Sequence, residues 1–104
     1  MEKVIREGKV AVLVSPNYGA GWYSWNSGYK ELLFHPKLVE MVEQGKRDEI
    51  TKKWIKDNLN INMQPLGAED LIIEWLPVGT QFMIYEYDGY ESLCTLSDLK
   101  LITA

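Results

Sequence analysis

The chain reads as an α+β domain, a small single domain in which a mostly antiparallel sheet of four to five strands carries two helices on one face, in the order β-α-α-β-β-β. Three observations predict this class. Val10-Ala11-Val12-Leu13-Val14 is a short, unbroken apolar run ended by Ser15-Pro16, the mark of a buried strand. The middle of the chain holds two amphipathic stretches at helical spacing. The C-terminal part alternates strand-forming residues with turn residues at Pro77-Val78-Gly79 and Asp88-Gly89.

The elements follow in order. Residues 9–14 form the first strand. Tyr29-Lys30-Glu31-Leu32-Leu33-Phe34 fits a short helix or an extended segment equally well. Pro36 then stands where a first helical position would be, and Leu38, Val39, Met41 and Val42 supply an apolar stripe before Gly45 stops the helix. Asp48 is a candidate N-cap for a second helix over roughly residues 49–59, with Ile50, Trp54, Ile55 and Leu59 on its apolar side. Pro65-Leu66-Gly67 makes a loop. Leu71 to Leu76 is a strand, Pro77-Val78-Gly79 suits a type II turn, Gln81 to Tyr87 is the next strand and Tyr90 to Leu96 its return. Lys100-Leu101-Ile102-Thr103 is a candidate last edge strand. A two-residue turn at Asp88-Gly89 sets the hairpin register: Tyr87 faces Tyr90, Glu86 faces Glu91, Tyr85 faces Ser92, Ile84 faces Leu93 and Met83 faces Cys94.

Size and composition narrow the class of protein. At 104 residues, 46% of them apolar, the chain can build one core and not two. No apolar run approaches the ~20 residues of a membrane span, so no membrane partner is expected. The N-terminus carries charges of both signs and lacks the apolar core of a secretory signal. Cys94 is the single cysteine, which excludes an internal disulfide and suits a reducing cytoplasm.

The net charge of −4 is unevenly spread. Lys46, Arg47, Lys52, Lys53 and Lys56 cluster in the middle, whereas Asp57 to Leu99 contains no lysine or arginine and eight acidic residues. Such asymmetry suits self-association into a homo-oligomer, an acidic face for a cationic partner, or simply a solvated charge pattern. Five basic residues on an acidic chain are too few for a duplex DNA footprint, though Arg47 and Lys53 are candidates for holding a small phosphorylated ligand.

The stretch Ser15 to Gly28 concentrates three of the eight glycines and two of the four tryptophans directly after the first strand. Its spacing fits neither the dinucleotide-binding nor the P-loop fingerprint, since Gly19-x-Gly21 has no third glycine and no Gly-Lys-Ser/Thr follows. A generic recognition element remains. Backbone N–H groups near Gly19 and Gly21 can form an anion nest. Tyr18, Trp22, Tyr23 and Trp25 can stack on a base at ~1–3 kcal/mol each, with Ser15, Ser24, Asn26 and Ser27 fixing polar edges. The competing reading is a tight turn whose aromatics plug the core. The opposed Glu86 and Glu91 repel, so they either bind a cation, an arginine or a base amino group, or splay into water.

Catalytic groups are scarce. His35 is the only histidine and precedes Pro36, where it can cap the helix. Cys94, mid-strand, reads as a small core residue. No metal or cofactor is implied, and a non-catalytic protein is expected.

The blocks VAVLVSPNYGAGWYSWN (Val10 to Asn26), LLFHPKLVEMV (Leu32 to Val42) and GAEDLIIEWLPVGTQFMIYEYDGYE (Gly67 to Glu91) resemble a family of small tailed-phage proteins with no assigned activity. The resemblance covers most of the chain. It implies a phage or prophage origin and the cytoplasm of the infected bacterial host, and it carries over no catalytic residue. In that setting the expected function is anti-defence binding: sequestration of a small cyclic nucleotide signal through Ser15, Tyr18, Gly19, Gly21, Trp22, Trp25, Asn26, Arg47, Lys53, Glu86 and Glu91. The alternative is inhibition of a host defence protein through an acidic aromatic surface of Glu69, Asp70, Glu74, Asp88 and Glu91 with Tyr87 and Tyr90.

Overall fold

The strand β2 (Lys9–Val14) is buried from Val10 to Val14 and organises the rest of the chain. A strand covered on both faces needs apolar residues at every position, which is why its sequence does not alternate. The structure, a computed structural model, describes residues 1–99 and 102–104. β1 (Ile5–Arg6) and β3 (Ile72–Pro77) pair with β2 on either side, both antiparallel, giving the order β1-β2-β3. The β1–β2 turn is made by Glu7 and Gly8, both at positive φ (52° and 76°). The Arg6 guanidinium lies over the Trp75 ring and pairs with Glu43, fixing this edge to the helical layer.

One face of β2 presents Ala11 and Leu13 to the helices. There α2 (Pro36–Glu43) contributes Leu38, Val39 and Val42, and α3 (Lys52–Leu59) contributes Ile55, around the buried Trp22 and Leu71. The opposite face presents Val10 and Val12 to Leu33 and Phe34 of α1 (Glu31–Phe34) and to Phe82, Ile84 and Leu93 of a separate hairpin. That hairpin is β4 (Phe82–Tyr87) with β5 (Tyr90–Thr95).

The α+β class therefore holds, with both longer helices on one face of β2, and among the described residues five antiparallel strands fall into two sheets. The division follows from burial. Val10 and Val12 need a cover on the face away from α2 and α3, which α1 supplies only in part, and Phe82 and Ile84 complete it only if β4 leaves the edge of β3. The tight turn Pro77–Thr80 makes this possible, with Thr80 N–H donating to the Pro77 carbonyl at 3.1 Å and Gly79 at φ 87°.

The ambiguous segment 29–34 is helical at its end, as α1. His35 caps α2, its Nδ1 accepting from Lys37 N–H at 3.1 Å. The N-cap of α3 is Thr51, whose Oγ1 accepts from Trp54 N–H at 3.1 Å; Asp48 instead lies in a 3₁₀ turn over Arg47–Glu49. The observed hairpin register matches the expected one at every pair from Met83↔Cys94 to Tyr87↔Tyr90. Part of the expected last strand, Lys100 and Leu101, lies outside the described residues. Among the described residues, no helix is long and apolar enough to cross a membrane.

Candidate functional site

The hairpin tip, the glycine–aromatic stretch and the loop before β3 meet at one place. Gly19 N–H donates to the Asp88 carbonyl at 2.7 Å, and Glu91 N–H donates to the Ser15 carbonyl at 3.0 Å. The approach is close enough to require glycine. A Cβ on Gly89 would lie 2.5 Å from Ala20 N, and one on Gly67 would lie 2.9 Å from Trp22 N. Each of these glycines also holds a positive φ that a side chain would strain.

Two carboxylates lock this junction. Glu91 is 1% exposed. Its Oε1 accepts from Ser15 N–H at 3.0 Å, and its Oε2 accepts from Ser24 N–H at 2.8 Å and Ser24 Oγ at 2.6 Å. Glu86 Oε1 accepts from Trp25 Nε1 at 3.0 Å, and its Oε2 from Gly89 N–H at 3.3 Å. A buried carboxylate must be hydrogen-bonded to be tolerated, and here the loop provides the donors. The pair does not splay into water, and the carboxylate oxygens expected to meet a cation, an arginine or a base amino group accept from the chain's own groups. The glutamates bind the chain's own loop.

Trp22 is 0% exposed and its Nε1 donates to the Leu32 carbonyl at 2.8 Å, so it is a core residue and presents no ring to a ligand. Ser15 is fully buried, and Asn26 is buried with Nδ2 donating to the carbonyls of Trp22 and Leu66 at 2.7 and 3.1 Å. Gly21 is buried against Ser24 and Trp25. The Gly19 N–H expected in an anion nest is the one already given to Asp88. Arg47 Nε donates to the Leu71 carbonyl at 2.7 Å, and Lys53 pairs with Asp57 on exposed α3. These two basic residues belong to the helical layer and do not join the loop.

What remains accessible is aromatic. Tyr18 is 63% exposed and Trp25 41%. Alternation along the hairpin sends Phe82, Ile84, Glu86, Glu91 and Leu93 inward, and leaves Met83, Tyr85, Tyr87 and Tyr90 on the outer face, all exposed. Tyr18 from the loop packs against Tyr90 with ring centroids 5.1 Å apart, tilted by 45°. Glu91, expected on an acidic surface with Tyr87 and Tyr90, lies on the inner face instead.

A second feature adjoins this face. A groove of about 480 Å³ lies between the outer edge of β4 and α1, lined by Lys3, Tyr23, Lys30, Leu33, Phe34 and Phe82-Met83-Ile84. Met83, Tyr85 and the groove lysines were not singled out in the sequence. The signal for Tyr85 was present, because Met83, Tyr85 and Tyr87 share a strand face opposite the apolar Phe82 and Ile84. The groove had none, as it joins residues about 80 positions apart in sequence.

No family model, curated protein or solved structure matches the chain.

Proposed function

We propose that the protein is a non-catalytic binding protein of phage origin, acting in the cytoplasm of the infected bacterium. Its outer hairpin face occupies a site on a host defence protein. The observation that carries this reading is the set of Tyr85, Tyr87 and Tyr90, exposed together with Met83 on one hairpin face, with the exposed Tyr18 of the adjoining loop packed against Tyr90. Tyrosine gives large contact area at low conformational-entropy cost and is enriched among residues that dominate interfaces. Exposed apolar and aromatic patches of this kind mark interaction sites. The setting, phage and host, comes from the sequence resemblance.

A photo-crosslinking residue placed at Tyr85 tests it in infected cells, with the same residue at Lys53 as the comparison. The expected result is one abundant adduct with a host protein from position 85 and none from position 53. Adducts from position 53 alone would overturn the reading.

Sequestration of a small cyclic nucleotide is the second reading, supported by the accessible rings of Tyr18 and Trp25. Thermal shift against cyclic di- and trinucleotides separates the two. Stabilisation that disappears in Trp25→Ala would establish the nucleotide reading in place of the protein-binding one. No shift is expected.

A further inference from the structure

The free edge of β4 is built to take another strand. Tyr87 and Tyr90 flank a two-residue turn, so they exchange hydrogen bonds, and every second pair along the hairpin does the same. The intervening residues, Phe82, Ile84 and Glu86 on β4 and Glu91 on β5, therefore aim their backbone groups away from the hairpin. Glu91 confirms the phase, since its N–H leaves the hairpin to reach the Ser15 carbonyl at 3.0 Å. On the β4 side, among the described residues, no backbone partner meets Phe82 or Ile84.

The groove of about 480 Å³ runs along this edge. Consecutive strand residues point to opposite faces, so Phe82, Met83 and Ile84 can line one groove together only if it faces the strand edge. Its far wall is Leu33 and Phe34 with Tyr23, and its charged groups are Lys3 and Lys30 with no carboxylate. Lys3 Nζ sits 4.6 Å from the Phe34 ring centroid. Among the described residues the ion pairs are Arg6–Glu43 and Lys53–Asp57, so neither groove lysine is neutralised. On a chain of net charge −4 this is a cationic slot. Free edges are ordinarily blunted by lysine, proline or a bulge, and β4 has none of these over Phe82–Tyr87, with its register unbroken.

We infer that β4 binds an extended, acidic segment of a partner protein as a third strand, antiparallel or parallel to it, with the segment's carboxylates at Lys3 and Lys30 and its alternate side chains continuing the tyrosine face. Strand addition of this kind draws affinity from main-chain hydrogen bonds and specificity from flanking pockets. The inference rests on the protein-binding reading above and names the partner's local chemistry.

The test is amide hydrogen exchange of the full chain by NMR with two end-blocked ten-residue peptides, one alternating valine with glutamate and one alternating valine with lysine. The glutamate peptide is expected to slow exchange at the Phe82 and Ile84 amides at least tenfold, and the lysine peptide to leave them unchanged. Lys3→Gln/Lys30→Gln, at two exposed positions, is expected to weaken the glutamate peptide about tenfold with the spectrum otherwise preserved. Absence of protection at saturating peptide, or equal protection by both peptides, overturns the inference. So does protection that grows with protein concentration alone, which would assign the edge to a second copy of the chain. If the peptide fails while Tyr85 still crosslinks a host protein, only the strand-addition inference falls. If both fail, the protein-binding reading falls as well.

Discussion

Glu91 shows how one side chain can decide whether a loop is a site or a scaffold. It stands opposite Glu86, a pairing that repels in an isolated hairpin. Three donors from Ser15 and Ser24 make it the anchor of the glycine–aromatic loop instead. Removing it strands the Ser15 N–H in a buried position and takes away three of the hydrogen bonds that join the hairpin to the loop. Glu91→Ala is therefore expected to lower the unfolding free energy by about 2–4 kcal/mol in urea denaturation. Tyr87→Ala, on the outer face, is expected to change it by less than about 0.5 kcal/mol. Equal losses for the two would contradict the division into a buried inner face and an exposed outer face.

Among the elements, α2 has a titratable cap. His35 Nδ1 accepts the Lys37 N–H only while unprotonated. Burial, followed by the nearby Lys37 charge, holds the His35 pKa below its ordinary 6.5. A group whose pKa is depressed on folding contributes stability that is complete above its unfolded pKa and is lost as the pH falls through the folded one. The thermal midpoint is therefore expected to decline as the pH drops below about 6.5, and His35→Asn, which caps without titrating in this range, is expected to flatten that decline. A profile identical in wild type and His35→Asn would show that the cap does not respond to pH. Local signals such as this cap, Pro36 at the helix start and the Asp88-Gly89 register were legible in the sequence, because each depends on neighbours a few residues away. Strand β1 was not, since its turn uses Glu7 at positive φ in place of the asparagine or aspartate that signals such a hairpin. Thr51 in place of Asp48 was also hidden. Both residues can cap, and the choice goes with a 3₁₀ turn in which Arg47 reaches the Leu71 carbonyl. The loop's composition could not reveal which rings point inward. Trp22 and Trp25 are chemically the same residue three positions apart, one wholly in the core and one on the surface.

At the level of the whole molecule, β2 is the strand around which the other elements arrange. Its two faces need two covers, so the hairpin is drawn across Val10 and Val12 and away from β3. That placement leaves one hairpin face buried, the other aromatic and open, and the β4 edge beside Lys3 and Lys30. Pairing between distant segments set this outcome, and no local pattern encoded it. Whether the outer hairpin face binds is read from the calorimetric affinity of Tyr87→Ala/Tyr90→Ala for the host protein that crosslinks from position 85. Residues that dominate interfaces each contribute about 2 kcal/mol or more, so at least a roughly hundredfold loss of affinity is expected with the unfolding midpoint kept. An affinity within about twofold of wild type, on an intact fold, would contradict it.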